Sequence, residues 1–120
     1  MPTKPQPLQQ FANVTLDTNG NGTAQLGPSR VREHWQAVAV YVETTTPIVN
    51  ESKCELYVGA TPIPSQQFST TGSGSSGDTC AMGSMDIQTG QYIICQWIGG
   101  DPGAIATMTV FGTYTIGAPE

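Results

Sequence analysis

The amino-acid sequence predicts one all-β domain, a β-sandwich or jelly roll of about seven or eight antiparallel strands. Only 11% of the 120 residues are charged, so the polar surface must come from Ser, Thr, Asn and Gln, which suit strands and turns better than helices. Fourteen Gly and nine Pro mark turns and break helices. Apolar and polar residues alternate over short segments, with no helical periodicity of useful length. A chain of this size suits a single domain.

The first ten residues differ from the rest of the chain. Pro2, Pro5 and Pro7 favour extended backbone with few hydrogen bonds. We therefore divide the chain into an extended or flexible N-terminal arm, residues 1–10, and a sandwich domain, residues 11–120. The arm is either a free tail or a segment laid across a neighbouring subunit. It has no apolar h-region, so we expect no signal peptide, and no stretch approaches the roughly 20 apolar residues of a membrane span.

The first half of the domain contains the clearest turn and the best strand pattern. Alternation on both sides of Asn19 and Gly20 predicts a hairpin over residues 14–26, because Asn-Gly is the strongest short turn signal. Residues 35–42 form the best strand, and both of its faces are apolar. One face is predicted to hold Val38, Val40 and Val42, and the other Trp35, Ala37, Ala39 and Tyr41. Such a strand is central in its sheet, or another surface covers its outer face.

The middle of the chain is less regular. Residues 53–58 alternate, with Cys54, Leu56 and Val58 predicted to face inward and Tyr57 outward. Two prolines precede residues 66–69, which could supply only an edge strand. The Gly/Ser-rich residues 71–79 are predicted to form a flexible loop.

The last third repeats the strand-and-turn pattern. Strands are predicted near residues 85–88 and over the apolar run 92–98, and residues 99–103 are a turn. Residues 105–116 alternate throughout, but Gly112 indicates a bend or bulge that could divide them into two strands.

Charge and cysteine content exclude several classes of partner. The net charge is −5, and the four cations (Lys4, Arg30, Arg32 and Lys53) are scattered, so we expect no nucleic-acid binding. Three cysteines with no Cys-x-x-Cys spacing argue against zinc. Cys54 and Cys95 lie in apolar runs and should be buried, whereas Cys80 follows the Gly/Ser loop and should be the more exposed thiol.

The motifs that could carry chemistry all have simpler explanations. Asp17 opens a sequence that matches the first half of a calcium loop, but Pro28 stands where the closing Glu should be, so a turn is favoured over calcium. His34, the only histidine, is predicted to lie at a sheet rim rather than in a Cys–His or Ser–His–Asp site. A paired carboxylate site would have to be assembled from Glu43, Glu55, Asp78, Asp86 and Asp101. We predict no enzyme activity, no metal and no cofactor.

The remaining candidates are interaction residues. Aromatic side chains on an exposed sheet face anchor protein interfaces or stack on sugars, and an extended arm can reach a neighbour. The candidate interaction residues are Pro2, Pro5, Pro7, Trp35, Tyr41 and Tyr57.

Two stretches of the chain resemble a known class of protein. The run from Gly22 to Arg30, with Trp35 shortly after it, and the run from Gln91 to Val110 with its Gly-Gly-Asp-Pro-Gly turn are similar to small β-sandwich virion proteins of tailed bacteriophages, especially those infecting actinobacteria. The resemblance covers most of residues 11–117, and its motifs are turns and strands. It implies a non-enzymatic part of the particle, tail-associated or capsid-decorating, present in many copies.

From this resemblance and the strand pattern we expect a virion component assembled in the bacterial host cytoplasm. Its partners would be capsid or tail proteins and further copies of itself, in a homo-oligomer with no membrane partner. The alternative is a carbohydrate-binding module that attaches a particle or enzyme to a glycan of the host surface.

Overall fold

The computed structural model describes residues 4–44, 52–60, 67–73 and 78–117, and these residues contain strands and turns without a helix. Among them no helix is long and apolar enough to cross a membrane. The eight strands are β1 (Gln6–Thr15), β2 (Gly22–Leu26), β3 (Glu33–Thr44), β4 (Ser52–Gly59), β5 (Gln67–Ser73), β6 (Asp78–Gln88), β7 (Tyr92–Ile98) and β8 (Ile105–Ile116). The prediction of an all-β sandwich is confirmed.

The strands form two four-stranded sheets with a jelly-roll order. Sheet I has the order β1-β8-β3-β6, and sheet II has the order β2-β7-β4-β5. All pairings are antiparallel. The pairs β1·β8, β2·β7, β3·β6 and β4·β5 match strands from opposite ends of the chain, as in one long antiparallel ribbon rolled around a core. This nested pairing distributed over two sheets is the double-sheet jelly roll.

The core lies between the inner faces of the two sheets. Sheet I contributes Trp35, Val40 and Val42, and sheet II contributes Leu56 and Trp97, all of them fully buried. Their alternation with polar neighbours along each strand is what a half-buried strand requires. Each such side chain stabilises the fold by about 1.5–3 kcal/mol relative to leaving it in water.

A β-bulge in β3 changes the faces predicted for this strand. Against β8 the register shifts by one residue between Ala37 and Ala39, so Val38 is the extra residue of β3 relative to β8 and is 47% exposed. Against β6 the extra residues lie in β6 itself, because Ala37 pairs with Met85 and Ala39 with Ala81. Val38 therefore does not share a face with Val40 as predicted, because one inserted residue inverts the alternation that follows it.

The irregularity predicted at Gly112 is located at this bulge. Gly112 pairs with Ala37 where the register of β3 shifts, and a side chain on Gly112 would overlap the carbonyl oxygen of Gln36. The close backbone approach requires glycine here. Residues 105–116 nevertheless form one continuous strand, so the alternative of two strands is wrong.

The hairpin predicted over residues 14–26 is wrong, although its turn is present. Gly20 has a positive φ of 76°, and the Asp17 amide donates to the Asn21 carbonyl at 2.9 Å. Beyond this bond the chain passes from sheet I to sheet II, where β2 pairs with β7. A turn signal fixes the local reversal but not the sheet that the next strand joins.

Two segment boundaries also differ from the prediction. The edge strand expected at residues 66–69 is confirmed as β5, but it extends to Ser73, and β6 begins at Asp78. Parts of the predicted loop 71–79 are therefore strand. Residues 6–10 are extended, as expected of the arm, and pair with β8 within this domain.

Candidate interaction surface

The outer face of sheet I brings three aromatic residues together. Phe11 on β1 pairs with Thr109 on β8, and Thr109 pairs with Tyr41 on β3. Phe111 lies two residues along β8 on the same face, so the three aromatic side chains surround Thr109. Cross-strand and diagonal neighbours on one face are close enough for aromatic side chains to interact.

Exposed aliphatic residues extend this aromatic group. Ile105 at the start of β8 is 46% exposed, Val38 at the bulge is 47% exposed, and Phe11 is 67% exposed, while Tyr41 and Phe111 are half-buried. We call these five residues the outer patch. Exposed apolar residues gathered on one face of a sheet are a candidate interaction site, whereas scattered exposed residues are not.

The other end of the same face is polar. The Gln36 amide donates to Asp86 Oδ1 at 3.0 Å, and the Gln88 amide donates to Asp86 Oδ2 at 3.3 Å. His34 Nδ1 lies 3.9 Å from Asp86 Oδ1. The histidine therefore lies beside a carboxylate on a strand surface. Cys54 and Cys95, two of the thiols considered for a Cys–His site, are instead buried in the core.

The buried carboxylate of Glu33 forms hydrogen bonds at the start of β3, on the inner side of this sheet. Glu33 is 3% exposed; it accepts from Trp35 Nε1 at 2.8 Å and from Arg30 Nε at 3.2 Å. Arg30 lies over the ring of Tyr114, 5.6 Å from its centre, a cation–π distance. Thr89 donates its hydroxyl to the Arg30 carbonyl at 2.8 Å. These contacts connect three segments at one end of the molecule.

Opposing effects set the protonation of Glu33. Burial alone would raise its pKa, but the hydrogen bonds from Trp35 and Arg30, and the charge of Arg30, favour the ionised form and bring the pKa below its usual value. The arginine is partly exposed, with 57% of its side chain accessible. The arrangement is a structural ion pair at a strand end.

The calcium-like sequence at residues 17–22 forms a turn. Asp17 Oδ1 accepts the amides of Asn19 and Asn21 at 2.8 and 3.0 Å, and Asn21 Oδ1 accepts the Gly99 amide at 3.0 Å. Oxygens needed as ligands are therefore bonded to the backbone, an Asx-turn arrangement. Within the described ranges, no group of three or more His, Cys, Asp or Glu side chains could hold a metal ion.

The predicted interaction residues lie in different environments. Tyr41 is in the outer patch, with its hydroxyl donating to Glu43 Oε2 at 3.3 Å. Pro5 and Pro7 are exposed at the start of β1, and Pro2 lies outside the described residues. Trp35 is 1% exposed and belongs to the core, so its side chain is not accessible to a partner, and it does not share a face with Tyr41 as predicted.

Tyr57 was predicted to be exposed, and this prediction is wrong. Tyr57 is 6% exposed and pairs across the strands with Ile94, which is fully buried. Both lie outside the core cluster between the sheets, so they are buried on the outer side of sheet II. The Tyr57 hydroxyl donates to Glu55 Oε1 at 3.3 Å. A sugar could not stack on this ring.

The cysteines follow the prediction. Cys54 and Cys95 are buried, Cys80 is half-buried, and all three are free thiols. Burial raises the pKa of Cys95 strongly, and a hydrogen bond with the neighbouring Cys54 adds to this effect. Such thiols are small core residues rather than nucleophiles.

Comparisons of the chain with protein-family models, curated proteins and solved structures gave no match.

Sequence reasoning missed most of the outer patch. Phe11 was next to the predicted arm, and Phe111 and Ile105 were members of an alternating run whose faces could not be assigned. The available signal was that β8 carries apolar residues at both odd and even positions. Only the register of three strands shows that Phe11, Tyr41 and Phe111 are neighbours.

Proposed function

We propose that this chain is a non-enzymatic virion structural protein of a tailed bacteriophage, a tail-associated or capsid-decorating component assembled in the bacterial host cytoplasm. The jelly-roll order supports the proposal because viral capsid domains use this architecture. Lectins and cupins use it as well, and function depends on surfaces rather than folds. The outer patch, an exposed aromatic face on sheet I, is therefore the observation that carries the proposal.

The surface of sheet I suits dense packing. Its four strands contain no lysine or arginine and only four acidic residues, of which Glu33 is buried, so copies placed side by side bring few charges together through this sheet. The exposed prolines Pro5 and Pro7 are at the start of edge strand β1, a position open to contact with a neighbouring subunit. Both features favour a part that functions in many copies.

The experiment is to look for the chain in purified particles of the phage whose genome encodes it. An antibody raised against the recombinant chain should label intact virions in electron micrographs, and mass spectrometry should find many copies per particle. The recombinant chain should also rebind particles from which it has been stripped. Absence of the chain from purified particles would refute the proposal.

Carbohydrate binding is the second candidate, and the same aromatic residues favour it. Phe11 is exposed enough for a sugar ring to stack on it, and the jelly roll is also a lectin architecture. Because Tyr57 is buried, the discriminating variant is Phe11→Ala. Binding to isolated bacterial cell wall that this variant loses, together with absence from particles, would favour this function over the first.

A further inference from the structure

The outer face of sheet I is large enough to hold a stable protein partner. Its strands have 10 to 12 residues. With a rise of about 3.3 Å per residue and about 4.8 Å between strands, the face covers roughly 600–700 Å² in projection. Projecting side chains raise the accessible area above this figure. A standard interface buries about 800 Å² on each partner, so this one face approaches the required area without any loop.

The chemistry of this face argues against a charged partner. No cation projects from its strands, since none contains lysine or arginine. Its carboxylates are already bonded, Glu43 to the Tyr41 hydroxyl and Asp86 to the Gln36 amide. A polyanion would find no counter-charge, and a basic partner would have to compete with these hydrogen bonds. The partner that fits is flat, apolar at its centre and carries few charged side chains.

A second copy of the chain offers a face with those properties. Twisted sheets pack face to face about 10 Å apart with their strands within about 30° of each other. The side chains around Thr109 would pack in the centre of such a contact. The polar end of the face, with His34 and Asp86, would lie at its rim, where hydrated groups are tolerated.

We propose that two copies of this chain associate through the outer faces of their sheets I, with Phe11, Tyr41 and Phe111 at the centre of the contact. A face packed on its own copy is an isologous contact, so the assembly is a closed two-fold dimer and not an open chain. This inference rests on the proposed function, because the dimer would be the unit that joins the particle.

The test is the molar mass of the purified chain, measured by size-exclusion chromatography with light scattering over a range of concentrations. The unaltered chain should be a dimer. Phe11→Ser should weaken dimerisation about 100-fold or more, because both copies lose a buried ring. Ile105→Thr should weaken it in the same direction by less. Both residues are substantially exposed in the single chain, so the fold should persist, which circular dichroism would verify.

Matched controls are available away from this face. Val31 is 79% exposed in the turn before β3, and Ile98 is 40% exposed on sheet II. Val31→Thr and Ile98→Thr remove comparable exposed apolar groups, and both variants should remain dimeric. Dissociation by these two variants with no effect of Phe11→Ser would place the contact elsewhere and overturn the inference.

Other outcomes separate this inference from the proposed function. A chain that stays monomeric at millimolar concentration but binds particles would overturn the dimer and leave the virion role standing. A dimer that Phe11→Ser dissociates, with no chain found in virions, would support the dimer and refute the virion role. A monomer that binds isolated cell wall through Phe11 would show that the outer patch binds glycan, and it would overturn the dimer.

Discussion

Replacing Glu33 should destabilise the domain more than replacing any exposed carboxylate. Glu33→Ala leaves the buried Trp35 Nε1–H, now 2.8 Å from its acceptor, without a partner, which costs about 1–3 kcal/mol. It also removes the two bonds from Arg30, both at 3.2 Å, which contribute less because that side chain is partly exposed. We expect a total of about 3 kcal/mol for Glu33→Ala. Glu33→Gln, which keeps one acceptor oxygen, should cost about half as much.

Glu33→Gln should also alter how the free energy of unfolding depends on pH. Because the pKa of Glu33 is lowered in the folded chain, its contribution is present above the unfolded pKa, about 4.5, and is lost as the pH falls through the lower folded value. The free energy of unfolding of Glu33→Gln should therefore lie below that of the unaltered chain at pH 7. The two should converge as the pH falls through the lowered folded pKa of Glu33.

Urea unfolding followed by tryptophan fluorescence measures both effects, since Trp35 and Trp97 are buried and report on the core. Glu55→Gln is the matched control, because its amide oxygen can still accept from the Tyr57 hydroxyl and the ion pair it removes is with Lys53, whose side chain is 63% exposed. Its cost should be less than about 0.5 kcal/mol. A Glu33→Gln variant within about 0.5 kcal/mol of the unaltered chain, or a difference that does not shrink in acid, would refute the reasoning.

Three further predictions concern the core and its glycine contact. Gly112→Ala should lower the free energy of unfolding by about 2–3 kcal/mol because its methyl group would overlap the Gln36 carbonyl; an unchanged melting temperature would contradict this. Ser52→Ala should leave the stability unchanged or raise it by up to about 1 kcal/mol, because the buried hydroxyl has no hydrogen-bond partner among the residues that the structure describes; a clear loss in urea unfolding would show that the hydroxyl is bonded. An aromatic disulfide reagent should react with Cys80 first, and Cys80→Ser should remove that phase. Cys95, whose pKa burial raises, should react only after unfolding, and two fast thiols in the native chain would rule this out.

Segments whose identity depends on local pattern could be predicted from the sequence. The apolar run at residues 92–98 has the same bounds as strand β7, because a continuous run of apolar residues is typical of a buried strand. Cys54 and Leu56 face the core as expected, since the alternation of β4 is regular over them. The asparagine-glycine turn is also in place.

Features that depend on partners distant in the chain could not be predicted. The strand after the Asn19 turn pairs with β7 rather than with β1, a choice made by sheet packing. The bulge at Val38 is invisible because every neighbour is apolar, so a change of phase leaves the pattern unaltered. Tyr57 is buried beside Ile94, a cross-strand neighbour that no local signal identifies. The outer patch could not be predicted for the same reason, since its residues come from strands distant in the chain.

The nested pairing of strands has a consequence for how this chain folds. Gln6 pairs with Tyr114, and Thr15 with Ile105, so closing sheet I joins residues about a hundred positions apart, a high contact order that slows folding to milliseconds or seconds. The edge of β1 stays open until β8 has been synthesised and has paired with it. During that interval the nascent chain exposes β1, which has no lysine or arginine to discourage wrong pairing. Production of this protein should therefore be sensitive to translation rate and to chaperones that shield unpaired strands.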